Sequence, residues 1–232
     1  MDLIYDGIVK AFELVTTLDT ELFIVVMTTL KVCLSAVAIS TLIGLPVGIL
    51  LGLKDFPGRR IVLSIINVGM GIPPVVAGLW ICVLFWRSGP LGNFEVLYTQ
   101  KALILAQVVV SLPIVTGLVA STFQGIDKNF LLLIRSMGAT RFQGWFLLIK
   151  QTRIGILAAI IAGLGRVFAE VGAAMMVGAN VFHETQILTT SIVSEVGQGH
   201  FDIAFAISFV LLGITFSLTG FLTFLQKGGK RR

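Results

Sequence analysis

Five long apolar runs divide the chain, and charged residues bound each of them. Every run reaches the ~20 residues that a helix needs to cross a hydrocarbon core ~30 Å thick. Strands are excluded, because peptide groups in lipid must be hydrogen bonded within their own segment. The pattern therefore predicts an all-α integral membrane protein with five transmembrane helices. The predicted spans are 22–53, 61–86, 102–126, 154–179 and 203–226.

The composition excludes a soluble protein. Hydrophobic residues make up 56% of the 232 residues, and charged residues make up 12%, about half of the ~25% that is usual in soluble domains. The net charge of +5 does not indicate nucleic-acid binding, because the basic residues lie at the ends of the apolar runs. Cys33 and Cys82 both lie inside apolar runs, which favours buried thiols over a disulfide or a metal site.

The basic residues outside the runs predict the orientation. Twelve Lys and Arg residues lie in segments 54–60, 127–153 and 227–232, whereas the other side of the membrane has three. Positive residues concentrate on the cytoplasmic side, so the N-terminus is predicted outside and the C-terminal tail 227–232 in the cytoplasm. The outer segment 1–21 contains apolar residues at a spacing that suggests a short interfacial helix.

The cytoplasmic stretch 127–153 is too apolar for a solvated connector. Helical spacing of its apolar residues ends at Gly138, where we predict the left-handed backbone of a helix C-cap. A second amphipathic piece, 142–149, leads into the fourth span. Two interpretations stay open: a helix lying in the membrane interface, or a docking element for a cytoplasmic partner. The candidate docking residues are Phe130, Leu131, Leu133, Ile134, Arg135, Gly138 and Arg141.

Pro73 and Pro74 remove two backbone donors in the middle of the second span and should bend it. Irregular backbone at membrane depth is tolerated where it is buried in protein or lines a water-filled cavity. Packing could absorb the kink, but we favour a segment 69–78 that borders a gate. Pro113 is expected to give a milder kink in the neighbouring helix.

Charged residues inside spans are functional candidates by default, and here they are Lys31, Arg166 and Glu170. Arg166 and Glu170 are four residues apart on one helical face, so they can pair with each other. Residue counts from the outer helix ends place Lys31 and Glu170 at similar depth, which favours a Lys31–Glu170 bridge. Direct contact with a transported anion is the alternative.

Parts of the chain resemble the permeases of ABC importers. Gly138 and the three residues after it are similar to the family's coupling loop, although 132–134 and 150–151 depart from its pattern. The segment 71–78 resembles the Pro-Pro-Val-Val segment of oxyanion permeases. The segment 165–180, with Arg166, Glu170 and Asn180, resembles the Arg-x3-Glu-x-Gly-Ala to Gly-Asn signature of molybdate, tungstate and sulfate permeases, and is closest to the tungstate type.

The resemblance covers about 22–226 and implies a type-1 ABC importer transmembrane domain in a prokaryotic plasma membrane, surrounded by lipid. It implies a homodimer with the pathway on its axis, two ATP-binding subunits that hold ATP and Mg, and an external solute-binding protein. No catalytic, cofactor or metal site is expected in this chain itself. The transported ligand would be tungstate, with molybdate or sulfate as alternatives. The expected pathway and gate residues are Gly71, Pro73, Pro74, Val75, Val76, Pro113 and Asn180.

Other functions remain possible on the residues alone. A secondary transporter driven by an ion gradient would explain the charges in the spans, but it predicts inverted repeats, and the five runs contain no convincing pair. A membrane anchor would leave the broken second span unexplained. The outer residues His183, Glu184, Glu195, His200 and Asp202 lack close ligand spacing, which favours docking of the solute-binding protein over a metal site.

Overall fold

The computed structural model describes residues 9–10, 20–127, 130 and 136–228. Within these ranges the chain is helical apart from short connections and a single turn of 3-10 helix at Gly92–Phe94. In chain order the α-helices are α1 (Thr20–Leu53), α2 (Arg59–Gly71), α3 (Pro74–Phe85), α4 (Gln100–Gln124), α5 (Arg141–Phe168), α6 (Gly172–Gly178), α7 (Leu188–Gln198) and α8 (Phe201–Gly228).

Four of the described helices are long and apolar enough to cross a membrane alone: α1, α4, α5 and α8. The helices α2 and α3 pass the same test only as a pair that is bent by 104°, so the chain has five spans if this pair is one of them. The predicted runs 22–53, 102–126 and 203–226 each correspond to one helix. The predicted run 61–86 is two helices, because Pro73 and Pro74 end one and begin the other.

The predicted fourth span, 154–179, differs from the structure at both ends. Helix α5 begins at Arg141, where Thr140 and Gln143 form a capping box: Gln143 N–H donates to Thr140 Oγ1 at 3.3 Å, and Thr140 N–H donates to Gln143 Oε1 at 2.9 Å. Such a box satisfies two otherwise unpaired donors at a helix start. Half of the expected cytoplasmic stretch 127–153 is therefore the first part of the spanning helix, which ends at Phe168.

Glycines allow α1 and α4 to pack in close contact. Gly44, Gly48 and Gly52 all face α4, and a Cβ atom on Gly48 would lie 2.8 Å from the carbonyl oxygen of Thr116. One turn earlier, the hydroxyl oxygens of Ser40 and Ser111 are hydrogen bonded at 2.7 Å. Small residues at four-residue spacing are typical of close helix pairs in membranes. The two helices therefore run parallel, with residues 71 apart in sequence at the same level.

One end of the bundle contains a helix that the sequence pattern did not predict. Helix α7 occupies the region expected to be a polar loop, and its first turn is buried. The backbone N–H of Leu188 donates to Thr29 Oγ1 of α1 at 2.9 Å, and Thr189 Oγ1 donates to the carbonyl of Glu170 at 3.0 Å. At the same end, Lys10 forms an ion pair with Asp202 at 2.9 Å. Helix α7 is thus tied to both α1 and the end of α5.

The glycine contact can be tested by adding one methyl group. Gly48→Ala should destabilise the protein, because overpacking against backbone costs ~1–3 kcal/mol and outweighs the ~0.5–1 kcal/mol gained by replacing a helical glycine. Gly213→Ala on α8 is the matched control, because its Cβ would meet nothing within 4 Å. Thermal denaturation of the purified protein should show a lower midpoint for Gly48→Ala alone. Equal midpoints for the two variants would contradict the close packing.

Candidate functional site

The first helix break lies between α2 and α3, at Ile72 and Pro73. Both residues have extended backbone, with ψ of 128° and 127°, as expected because each of them precedes a proline. At 1.5 Å per residue, helices of 13 and 12 residues joined at 104° reach only about 23 Å from end to end, less than a hydrocarbon core of ~30 Å. The break is therefore a sharp turn rather than a kink in a straight span.

The side of this break that faces away from the chain's own core is open. Gly71, Ile72 and Pro73 are all exposed, and so are Val75 and Val76 in the first turn of α3. Backbone that is neither helical nor buried cannot face acyl chains. In a membrane this surface must therefore meet water or another protein chain.

The second break separates α5 from α6 and is organised by Glu170. This residue is 2% exposed, and its Oε1 accepts the backbone N–H of Ala173 at 2.9 Å. A carboxylate at this position satisfies a donor in the first turn of the next helix. Its own carbonyl accepts the Thr189 hydroxyl of α7. Glu170 therefore joins α5, α6 and α7 at one point.

The ion pair at this break is Arg166–Glu170, with 3.8 Å between Nη2 and Oε2. The expected Lys31–Glu170 bridge is wrong. Lys31 is exposed and forms no ion pair with any residue that the structure describes. Its neighbour Val32 packs in one cluster with Ala102 and Leu103, which puts Lys31 level with the first turn of α4.

The two breaks lie against each other. A Cβ atom on Gly172 would lie 2.5 Å from Cγ2 of Val75, and one on Gly78 would lie 2.7 Å from Cα of Ala173. Glycine at both positions lets α3 and α6 approach to backbone contact. The segments 71–78 and 165–173, far apart in sequence, thus form one structural unit.

Two further pathway candidates occupy different places. Pro113 on α4 packs against the end of α2 just before the first break, since a Cβ on Gly69 would lie 3.0 Å from its ring. Asn180 does not join it: α6 separates Asn180 from the break, and its backbone is left-handed with φ of 52°. Its buried Oδ1 has no hydrogen-bond partner among the described residues. Asn180 therefore lies just after the C-terminal end of α6, whereas the break lies before its N-terminal end.

The connection before α5 matches the sequence expectation at Gly138, whose φ is +71°. The expectation for Phe130 is wrong in one respect, because this side chain is half-buried and packs on the chain's own cluster of Val119, Phe123 and Leu148. It is therefore not free to insert into a partner. Leu131, Leu133, Ile134 and Arg135 lie outside the described residues, as does the side chain of Arg141 at the first position of α5.

Apolar side chains that the sequence reasoning did not select border an open groove of about 770 Å³ beside Gly138. Met137 and Phe142 are 77% and 82% exposed, and Phe146 lies one turn further along α5. The four-residue spacing of Phe142 and Phe146 is the signal that could have revealed them. A cluster of exposed aromatic side chains this large indicates an interaction surface.

The openness of the first break gives a labelling prediction. In a variant without Cys33 and Cys82, Ile72→Cys should react with a hydrophilic maleimide in membranes, because a break in the backbone requires water or protein beside it. Leu212→Cys in the middle of α8 is the control: it is equally exposed in the isolated chain but should face lipid. Labelling at Leu212 and not at Ile72 would contradict an aqueous break.

Comparisons with known proteins agree with this geometry. The family model described as "Binding-protein-dependent transport system inner membrane component" matches residues 44–230. A probable anion ABC transporter permease of Haloferax volcanii is 35% identical over 84% of this chain and 86% of its own length. The tungstate uptake permease TupB of Peptoclostridium acidaminophilum is 30% identical over 98% of this chain and 100% of its own.

A second tungstate uptake permease TupB, from Campylobacter jejuni, is 34% identical over 94% of this chain and 91% of its own length. Among solved structures, the inward-facing methionine ABC transporter MetNI matches with a TM-score of 0.63 at 21% identity, over 91% of this chain and 95% of that one. This likeness supports the type-1 ABC importer fold and nothing further. The chain belongs to the family of binding-protein-dependent transport system inner membrane components.

Proposed function

We propose that this chain is the membrane-spanning permease subunit of an ATP-driven importer for a tetrahedral oxyanion, and that the oxyanion is tungstate. The observation that carries the proposal is the contact between the two helix breaks through Val75 and Gly172. Discontinuous helices form the substrate sites of many secondary transporters, and the two breaks are assigned a similar purpose here. The similarity to two tungstate permeases over nearly the whole chain supports the choice of anion.

Molybdate is the nearest alternative, because it is a tetrahedral dianion of similar size, and sulfate is the next. Selection between them is assigned to the external solute-binding protein that delivers the anion. The permease then has to pass a dianion without retaining it. The attraction between the anion and any cation in the path must therefore be weak.

Partner chains are part of the proposal. A second copy of this chain would lie opposite the exposed break at Gly71–Pro73, and the two copies would enclose an aqueous pathway on the two-fold axis. Two ATP-binding subunits would bind and hydrolyse ATP with Mg, and the permease itself would catalyse nothing. Membrane lipid would cover the exposed aromatic side chains of α8, including Phe216 and Phe221.

The proposed orientation places the N-terminus outside and the C-terminal tail in the cytoplasm. The twelve-to-three distribution of basic residues supports it. The Lys10–Asp202 ion pair keeps Lys10 at the same end of the bundle as α7, which is the outer end in this orientation. The segment around Gly138 then faces the ATP-binding subunits.

The docking surface for those subunits is assigned to Met137, Phe142 and Phe146 around the groove, together with Leu131, Leu133 and Ile134 of the preceding stretch. Arg135 and Arg141 would pair with acidic residues at the rim. Buried apolar anchors dominate the binding energy of such interfaces, and rim charges contribute less. Phe130 serves a different purpose, since it fixes this stretch to the chain's own core.

Transport is tested by reconstitution. The permease, its ATP-binding subunit and its solute-binding protein in proteoliposomes should accumulate radiolabelled tungstate only with ATP present. Unlabelled molybdate should compete more strongly than sulfate. ATP-independent uptake driven by an ion gradient would contradict the proposal, and so would uptake of an amino acid in place of an oxyanion.

The docking surface is tested by two substitutions with different expected effects. Phe142→Ala should weaken binding of the ATP-binding subunit at least tenfold, as for an interface anchor worth about 2 kcal/mol, while Phe216→Ala on α8 should not. Gly138→Val should leave the complex assembled but uncouple ATP hydrolysis from uptake, because a β-branched residue is strained at φ of +71°. The pull-down yield and the ATPase rate of each variant distinguish loss of binding from loss of coupling. Unchanged binding of Phe142→Ala would contradict the assignment.

A further inference from the structure

Arg166 is a cation in a membrane-spanning helix that does not face the chain's own core. Its side chain is 33% exposed, whereas its neighbours Leu164, Val167 and Phe168 are buried. A charged side chain at membrane depth faces a bundle interior or a water-filled cavity, not lipid. The exposed part of Arg166 is therefore expected to face the pathway.

The surface beside Arg166 leaves room for a ligand. Ala162, Gly165 and Ala169 are the small residues next to it on α5, and each is partly or fully exposed. A Cβ atom on Gly165 would meet nothing within 4 Å. The guanidinium is thus the main polar group on an otherwise small-residue surface, next to the irregular backbone at Ala169.

The contact of Arg166 with Glu170 neutralises charge without using the guanidinium donors. At 3.8 Å the Nη2–Oε2 separation is too long for a hydrogen bond. The buried Nε of Arg166 has no hydrogen-bond partner among the described residues. Glu170 is held in place instead by the Ala173 N–H. The pair therefore has little net charge, and the Nη groups in the partly exposed side chain of Arg166 form no hydrogen bond with the described residues.

We infer that the Arg166 guanidinium contacts the oxyanion in transit, and that Glu170 behind it limits how tightly the anion is held. The inference rests on the proposed function. The N–H groups of a guanidinium match the geometry of oxyanion oxygens. A fixed carboxylate close to the guanidinium reduces the electrostatic attraction between the site and an anion. The result is a weak, selective contact that releases a dianion rapidly.

The two singly substituted variants should shift anion affinity in opposite directions. The complex with its ATP-binding subunits is purified in nanodiscs, and binding of radiolabelled tungstate is measured by equilibrium dialysis. Glu170→Gln keeps an oxygen that accepts the Ala173 N–H but removes the negative charge, so it should bind tungstate about tenfold more tightly. Arg166→Gln leaves a carboxylate near the path and should bind it about tenfold more weakly.

The double variant Arg166→Gln/Glu170→Gln separates this role from a structural ion pair, and it keeps the test decisive if one single variant fails to assemble. It should assemble like the wild type yet bind tungstate more weakly than the wild type. Wild-type affinity in the double variant, or shifts in the same direction in both single variants, would overturn the inference. If the wild-type complex transports no oxyanion at all, the proposed function fails as well. Wild-type transport with unshifted variants overturns the inference alone.

Discussion

Hydrocarbon offers no hydrogen-bond partner to a peptide group, and the arrangement of this chain follows from that constraint. Long helices such as α1, α4 and α8 solve most of the problem by pairing their peptide groups internally. At two places the helices stop within the bundle, at Ile72–Pro73 and at Ala169–Val171. The chain places the starts of the helices that follow these breaks, α3 and α6, against each other, so that these turns shield one another.

Glycine makes this shielding possible. Gly78 and Gly172 allow α3 and α6 to meet without intervening side chains, and Gly48 and Gly52 do the same for α1 and α4. Close backbone contact stabilises helix pairs in lipid, because apolar side chains gain little free energy when they move from lipid into the protein. The glycines therefore determine which helices are fixed together, and Pro73 and Pro74 determine where α2 ends and α3 begins.

Much of this fold could be predicted from the sequence, because apolar runs report span length directly. Two errors have physical causes. The Pro73–Pro74 pair predicts a bend, but its angle depends on the contacts of Gly69 and Gly78 with other helices. The predicted Lys31–Glu170 bridge is wrong because the depth comparison assumed one helix over 154–179, whereas α5 ends at Phe168 and α6 begins at Gly172.

The site was predictable in part for a similar reason. Gly138 is recognisable from the sequence because a positive φ at the end of a helix favours glycine. Phe130 was misassigned because an apolar side chain looks the same in sequence whether it meets its own core or a partner. Helix α7 was missed because its Ser and Thr residues suggest a loop, and its stability comes from hydrogen bonds to Thr29 and Glu170.

The length of α1 has a mechanical consequence. A helix of 34 residues is about 51 Å long, and contacts join both of its ends to the rest of the bundle: Arg59 Nε donates to Leu51 O near its C-terminal end, and Thr29 accepts from Leu188 nearer its N-terminal end. A tilt of about 5° would move one end of such a rod by about 4 Å relative to the other. Helix α1 can therefore act as a lever that carries a small movement at one end of the bundle to the other end.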